Sequence, residues 1–156
     1  MDLLRVYIDT SVLGGCSDEE FQEDSLRLIE WARRQELILL ISEITLRELE
    51  PAPKSVRDIL SGVPPACLEF VPLTTEILAL RDEYIRADVV GPQSMDDAAH
   101  VAAATVARAD AIVSWNLKHI VRLEKIKGYN EVNQERGYSA LTIITPREVM
   151  LHEPED

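Results

Sequence analysis

Cysteine is scarce in this chain of 156 residues, which contains only 2. Cys16 and Cys67 lie far apart and form no C-x-x-C pair, which argues against a disulfide framework and against a zinc finger or ribbon. We expect two reduced thiols in the core. A disulfide between them stays open, because it depends on geometry that the sequence does not give.

Long apolar runs are also missing, and the longest covers only residues 37–41. A membrane-spanning helix needs about 20 consecutive apolar residues, so we expect no membrane association. Residues 1–9 contain neither a basic leading region nor a small-residue cleavage site, which argues against a secretory signal. We therefore expect a cytoplasmic protein.

Basic residues are few: 16 Lys and Arg stand against 28 Asp and Glu, and the formal net charge is −12. This excess argues against a protein that coats nucleic acid, which would be basic. It does not exclude a nuclease, because carboxylates that bind metal ions are acidic by necessity. It also suits a basic protein partner.

The order of apolar and amphipathic segments predicts the fold class. Short apolar runs alternate with longer amphipathic stretches, and no repeat, low-complexity segment or Gly/Ser-rich linker divides the chain. The length is that of one domain, so we predict a single domain over residues 1–156. The alternation predicts an α/β fold, a three-layer α/β/α sandwich with a mostly parallel central sheet.

Apolar runs and capping signals place the individual elements. Strands are predicted at residues 4–9, 37–41, 68–72, 111–114 and 141–144. Ser17, with Glu20 at the third position, predicts a helix to about residue 35, and Ser42 predicts one to about residue 50. Further helices are predicted at residues 55–61, from Thr74 or Thr75 to 87, from Ser94 to 109, at 117–127 and from Pro146 onward. Residues 128–139 are expected to form a polar surface loop.

Three carboxylates and one amide are expected at one edge of this sheet, because functional residues of parallel sheets lie at the carboxyl ends of the strands. Asp9 ends the first strand, and Glu48 lies about two turns into the helix after the second. Asp97 opens the helix before the fourth strand, and Asn116 follows that strand. Asp96 is an adjacent candidate for the third acid.

Converging carboxylates repel one another unless a cation neutralises them. Oxygen ligands favour a hard divalent ion, and the sequence offers no set of His and Cys that would favour zinc. Such an ion can activate water and stabilise a phosphate under attack. Each acid also has a plainer interpretation: a turn cap for Asp9, a solvated charge for Glu48, and a carboxylate stabilised by the helix dipole for Asp97.

Four segments resemble, in order and spacing, the motifs of PIN domains. They are residues 7–13 (YIDTSVL), 42–49 (SEITLREL), 97–104 (DAAHVAAA) and 109–119 (ADAIVSWNLKH). The resemblance extends over nearly the whole chain and is closest to the VapC-like toxins of prokaryotic toxin–antitoxin pairs. The third segment favours Asp97 over Asp96, because residues 98–104 are then in register.

The resemblance implies a Mg²⁺- or Mn²⁺-dependent endoribonuclease that hydrolyses RNA. It implies that Asp9, Glu48 and Asp97 are catalytic residues and metal ligands. Asn116 stands where many PIN domains carry a fourth acid, and it would complete the metal shell without adding charge. The resemblance also implies a homodimer and a small antitoxin that blocks the site.

Substrate contacts are expected from residues beside these acids. Ser11 matches a family position that orders the site or binds phosphate. Lys118, Arg122 and Lys125 have the spacing of one helical face directly after Asn116, which suits binding of a phosphate backbone. A solvated helix face is the alternative.

The remaining histidines and Trp115 have two interpretations each. His119 is expected to be exposed and able to contact RNA. His100 is expected to have a structural or supporting role, with substrate contact as the alternative. Trp115 is expected in the core, with base stacking as the alternative.

Two other classes of function compete with a nuclease. Asn116 favours an inactive PIN-like module that binds RNA or protein, whereas the three retained acids argue against it. Asp9 could be the nucleophile of a phosphoryl-transfer enzyme. Haloacid-dehalogenase-like phosphatases, however, need a second Asp two residues later, where this chain has Ser11.

Overall fold

A five-stranded sheet forms the centre of the protein in a computed structural model that describes residues 3–151. The strands are β1 Arg5–Ile8, β2 Ile38–Ser42, β3 Leu68–Val71, β4 Ala111–Val113 and β5 Thr142–Ile144. Their order is β3-β2-β1-β4-β5, and each neighbouring pair is parallel. The predicted parallel α/β fold is confirmed.

Eight α-helices connect and flank the strands in the described part of the chain. They are α1 Thr10–Gly15, α2 Gln22–Arg33, α3 Glu43–Leu49, α4 Lys54–Arg57, α5 Thr75–Arg86, α6 Met95–Val106, α7 Leu123–Glu135 and α8 Pro146–Met150. No helix within residues 3–151 is long and apolar enough to cross a membrane.

Two apolar cores cover the two faces of the sheet, because successive strand residues point to opposite sides. Tyr7 and Leu40 pack with α5, α6 and α7 on one face. Ile8 and Leu39 pack with α1, α2 and α8 on the other. The two cores confirm the predicted three-layer sandwich. Both cysteines belong to the second core and are free thiols there, as expected.

Three of the predicted helix starts are confirmed by their capping hydrogen bonds. Ser42 and Thr145 both form capping boxes, and Pro146 is the first residue of α8. The Thr74 side chain accepts a hydrogen bond from the amide of Ile77 and starts α5. These caps satisfy amide groups that would otherwise lack partners in the first turn.

The start of the first predicted helix is wrong. Ser17 does not cap a helix; α2 begins only at Gln22, and the intervening residues form turns. Asp18 stabilises them, since its carboxylate accepts a hydrogen bond from the amide of Glu20. A separate helix that sequence analysis missed, α1, begins directly after Asp9.

The predicted helix at 117–127 and loop at 128–139 are also wrong. Residues 117–122 are turns, and α7 runs from Leu123 to Glu135. The helix continues through a polar sequence because Tyr129, Val132 and Asn133 are buried against the first core. Tertiary burial outweighs the weak local pattern here.

Substitution by alanine should have opposite effects on stability at two adjacent glycines of α1. A Cβ at Gly15 would lie 2.7 Å from Ser25 Oγ and 2.9 Å from Trp115 Nε1, whereas a Cβ at Gly14 meets no atom within 4 Å. We expect Gly15→Ala to lower the free energy of unfolding by about 1–3 kcal/mol, the usual cost of overpacking. Gly14→Ala should raise it by up to about 1 kcal/mol through helix propensity.

Urea unfolding of the two variants beside the parent protein measures both effects. Equal destabilisation by the two substitutions would contradict the close packing of α1 against α2 and Trp115.

Candidate active site

Asp9 lies at the carboxyl end of β1, the middle strand of the sheet, and only 4% of its surface is exposed. Its carboxylate accepts two hydroxyl hydrogen bonds, from Ser11 Oγ to Oδ1 at 2.5 Å and from Ser114 Oγ to Oδ2 at 2.6 Å. Burial raises the pKa of Asp9, and the two hydroxyls oppose that rise. Sequence analysis missed Ser114, although its place directly after β4 puts it at the same edge.

Glu48 reaches this edge from α3 and is half-buried. Its Oε1 accepts a hydrogen bond from Thr10 Oγ1 at 2.9 Å and lies 2.6 Å from His100 Nε2. Burial acts to raise the pKa of Glu48, but the hydrogen bond and charge of His100, together with the hydrogen bond from Thr10, outweigh it and lower the pKa. Glu48 is therefore not a freely solvated helix charge.

Asp97 completes the acidic group from the first turn of α6. It is half-buried, and burial is the main cause of its raised pKa. The imidazole of His119 opposes the rise, whereas the carboxylates of Asp9 and Glu48 add to it. The three acids are thus close enough to repel one another.

Asp96 does not share this environment. It is exposed and forms a salt bridge with Arg47 at 2.9 Å. Of the two adjacent acids, the structure therefore places Asp97 beside the other carboxylates, as the sequence register favours.

His100 is buried, with 2% of its surface exposed. Its Nδ1 lies 2.7 Å from the Tyr7 hydroxyl, and its Nε2 contacts Glu48. Both ring nitrogens are engaged by protein atoms, which agrees with the expected supporting role and not with substrate contact.

Ser11 also has protein partners. Besides donating to Asp9, its Oγ accepts the amide of Trp115 at 2.9 Å. It therefore orders the site, the first of its two expected roles. Trp115 itself stacks on Phe21 and donates through Nε1 to Ser25 Oγ at 2.8 Å, which ties it to the beginning of α2.

Asn116 shapes the turn after β4. Its Oδ1 accepts the amides of Lys118 and His119, at 3.2 and 2.9 Å, and its carbonyl accepts the amides of Ile120 and Val121. The side-chain oxygen, which we expect to complete a metal shell, accepts hydrogen bonds from two backbone amides in this structure. Its role as a ligand stays a prediction.

The expected basic face does not form. Lys118 lies in a turn and Arg122 at the N-cap of α7, so they share no helical face with Lys125. Arg122 forms a salt bridge with Glu124, and Lys125 donates to the carbonyl of Val89 at 2.7 Å. Lys118 remains exposed in the turn.

His119 is half-buried and close enough to Asp97 to influence its pKa, so the expectation that it is exposed is wrong. Its carbonyl accepts a hydrogen bond from the Tyr129 hydroxyl at 2.8 Å, which anchors the turn to α7. The Asn116 turn and this anchor together bring the imidazole to the acidic group.

The donor set fits a hard cation by its chemistry, because carboxylate oxygens at neutral pH are the ligands that Mg²⁺ and Mn²⁺ prefer. Within residues 3–151, no group of three or more His, Cys, Asp or Glu side chains is gathered closely enough to enclose a metal ion. Mg²⁺ typically uses one or two carboxylates and fills its other positions with water. Asp9 and Asp97 can supply that number.

Comparisons with known proteins identify the fold. No protein-family model and no curated protein matches this sequence. The structure of VapBC2 from Rickettsia felis, bound to a DNA fragment from the promoter, is similar with a TM-score of 0.56 and 14% identity over 91% of this chain and 98% of that chain. VapC20 from Mycobacterium tuberculosis, described as a toxin that cleaves the Sarcin-Ricin loop, gives a TM-score of 0.54 and 14% identity over 88% and 98%. The chain therefore has the PIN fold of VapC toxins, as its four sequence motifs predict.

Proposed function

We propose that this protein is a metal-dependent endoribonuclease that hydrolyses RNA phosphodiester bonds. The observation that carries the proposal is the meeting of Asp9, Glu48 and Asp97 at the carboxyl edge of a PIN-fold sheet, where burial and the charges of the other two acids raise the pKa of Asp97. Carboxylates that repel one another at a half-open edge are suited to a divalent cation. The cleavage of RNA by VapC20, a protein of the same fold, supports this reaction class.

In this mechanism, Asp9 and Asp97 would hold Mg²⁺ or Mn²⁺ through carboxylate oxygens, and Glu48 would ligate the ion or orient the attacking water. The cation, when bound, supplies an activated water and stabilises the negative charge on the phosphate. Ser11 and Ser114 fix the carboxylate of Asp9 by one hydrogen bond to each oxygen.

Residues of the turn after β4 serve the substrate in this proposal. Lys118 is exposed there and can contact a phosphate of the RNA backbone. His119 lies beside Asp97 and can donate a hydrogen bond to the same phosphate group. Arg122 contributes less, because its charge is shared with Glu124.

We further propose that the protein is the toxin of a toxin–antitoxin pair, acts in the cytoplasm and forms a homodimer. The fold of VapC toxins supports the toxin assignment. The net charge of −12 suits a small antitoxin that presents Arg or Lys to the acidic site. Affinity purification of the protein from its native host should recover such a small basic-tailed protein; recovery of the chain alone would contradict the partner.

One observation favours a second candidate, an inactive PIN-like binding module. Asn116 stands where a fourth acid is expected, and its side-chain oxygen is used in hydrogen bonds to two backbone amides. A module of this kind would bind RNA or protein without cleaving RNA.

Cleavage of a mixed single-stranded RNA pool distinguishes the two candidates. We expect the wild-type protein to cleave with Mg²⁺ or Mn²⁺ and to lose activity in EDTA. Asp9→Asn and Asp97→Asn should each lower the rate at least about 100-fold, since a ligand charge at the cation is lost. Asp96→Asn is the matched control, because Asp96 is adjacent but paired with Arg47 at the surface.

Circular dichroism would confirm that the variants fold. Cleavage that persists in EDTA, or a folded Asp9→Asn variant with the wild-type rate, would contradict the metal-dependent nuclease. RNA binding without cleavage by any form would favour the inactive module.

The burial of Asp97 beside two other carboxylates also predicts a gain in stability from Asp97→Asn in metal-free buffer. The folded-state pKa of Asp97 is raised, so the ionised carboxylate costs stability above that pKa, and the cost disappears as pH falls through it. We expect the variant to unfold about 2–4 °C higher at neutral pH, the shift that about 1 kcal/mol produces in a chain of this length. The difference should shrink toward pH 4.

Thermal unfolding in EDTA between pH 4 and pH 7.5 measures this difference, with Asp96→Asn as the control. Adding Mg²⁺ should raise the Tm of the wild-type protein more than that of Asp97→Asn, because a ligand that binds the folded state stabilises it. A lower Tm for Asp97→Asn than for the wild-type protein at all pH values would contradict the destabilising effect of the ionised Asp97 carboxylate.

A further inference from the structure

A chain of buried hydrogen bonds connects the N-cap of α3 to the acidic site. Ser42 Oγ lies 2.8 Å from the Tyr7 hydroxyl, which lies 2.7 Å from His100 Nδ1. His100 Nε2 in turn lies 2.6 Å from Glu48 Oε1. Ser42, Tyr7 and His100 are all at most 2% exposed, so water does not compete for these contacts.

The cap of α3 holds one end of this chain of hydrogen bonds. Ser42 Oγ accepts the amide of Ile44 and takes part in a capping box with Thr45. The Tyr7 hydroxyl therefore contacts a serine that the first turn of α3 fixes.

The hydrogen on His100 Nε2 follows from its contact with Glu48. A carboxylate only accepts hydrogen bonds, so the 2.6 Å contact between Nε2 and Oε1 requires a hydrogen on Nε2. The other ring nitrogen, Nδ1, pairs with the Tyr7 hydroxyl at 2.7 Å. Both nitrogens of a histidine on α6 are thus held by residues of other segments.

The network holds one oxygen of Glu48 and leaves the other available. Oε1 is contacted by both His100 Nε2 and Thr10 Oγ1. Within residues 3–151, Oε2 has no hydrogen bond or salt bridge to a protein group. The side chain is therefore fixed from one side, with Oε2 presented for another partner.

Each link of the chain comes from a segment that also carries one of the acids. Tyr7 lies two residues before Asp9, and His100 lies three residues after Asp97. Ser42 begins the helix that carries Glu48. The same hydrogen bonds that orient Glu48 therefore hold the three acidic segments in register.

We propose that His100 is a positioning residue, which acts with Tyr7 to fix Glu48 through its Nε2–H group. The inference rests on the proposed nuclease function for its catalytic consequence, but the hydrogen on Nε2 and the hold on Glu48 can be tested without RNA. Partners of this kind behind a metal ligand typically change metal affinity or activity by about 10–100-fold.

The first test is the ¹⁵N NMR spectrum of the histidine side chains at neutral pH. The His100→Gln spectrum identifies the His100 signals among the 3 histidines. We expect the wild-type protein to show a hydrogen on Nε2. In Tyr7→Phe, the Nδ1 resonance should shift, because Nδ1 loses its hydrogen-bond partner. A wild-type spectrum with no hydrogen on Nε2 would overturn the proposal.

The second test separates positioning from stability. Tyr7→Phe and Tyr84→Phe each remove one hydroxyl from a fully buried tyrosine of the same core, and only Tyr7 belongs to the network. We expect Tyr7→Phe to lower kcat for RNA cleavage about 10-fold with little change in KM, whereas Tyr84→Phe leaves both unchanged. Equal losses in the two variants would mean a purely structural role and would overturn the proposal.

Two substitutions of His100 test whether an N–H donor restores the contact with Glu48. His100→Leu removes the donor to Glu48 and should weaken Mn²⁺ binding and cleavage about 10–100-fold. His100→Gln retains an N–H group at the position of Nε2, and it should recover part of the loss. Equal loss in Gln and Leu variants that both fold would overturn the role of the donated hydrogen bond.

Failure of the nuclease function gives a different pattern from failure of this inference. A protein that shows no RNA cleavage but has a hydrogen on His100 Nε2 and the expected order of Mn²⁺ affinities would reject the nuclease and retain the positioning role. A metal-dependent nuclease in which Tyr7→Phe and His100→Leu retain full activity would do the reverse.

Discussion

The burial of the Asp9 carboxylate at the end of the middle strand is the constraint on which this site depends. A buried carboxylate is costly unless hydrogen bonds or an opposite charge compensate for lost water. Ser11, at the start of α1, and Ser114, directly after β4, each donate to one oxygen of Asp9. One ionisable group therefore holds both the segment that follows β1 and the segment that follows β4.

The protein compensates the charges of Glu48 and Asp97 to different extents, and this difference determines what the site can bind. Glu48 receives hydrogen bonds from Thr10 and His100, and its pKa is lowered. Asp97 remains half-buried beside two other carboxylates, and its pKa is raised. A group of acids that the protein itself does not neutralise is suited to a cation or to a basic partner. A metal-dependent nuclease and an antitoxin are the two functional consequences that follow from this one electrostatic feature.

Sequence patterns predicted the parts of the fold that depend on local structure. The strands were recognisable as short apolar runs, and Ser42 and Thr145 cap helices as expected. The acids could be located because residues after parallel strands meet at one edge. Ser17 has a capping pattern of the same kind, yet it caps no helix. This shows that a capping pattern alone does not determine where a helix begins, because tertiary packing also contributes.

Contacts between distant segments could not be predicted. The basic residues after Asn116 have helical spacing, but the side-chain oxygen of Asn116 organises a turn in place of a helix. The extension of α7 through a polar stretch depends on the burial of Tyr129 and Val132. Likewise, the contact between Tyr7 and His100 joins residues 93 positions apart. Ser42, the cap of a third segment, extends the same chain of hydrogen bonds, a relation that no local pattern contains.

The most direct measurement is the anomalous scattering of Mn²⁺ in crystals of the protein grown with that ion. The account predicts one strong peak at the carboxyl edge of the sheet, in contact with carboxylate oxygens of Asp9 and Asp97. The peak should be absent from crystals of Asp9→Asn. A fully occupied Mn²⁺ elsewhere on the acidic surface, with none between Asp9 and Asp97, would contradict the account.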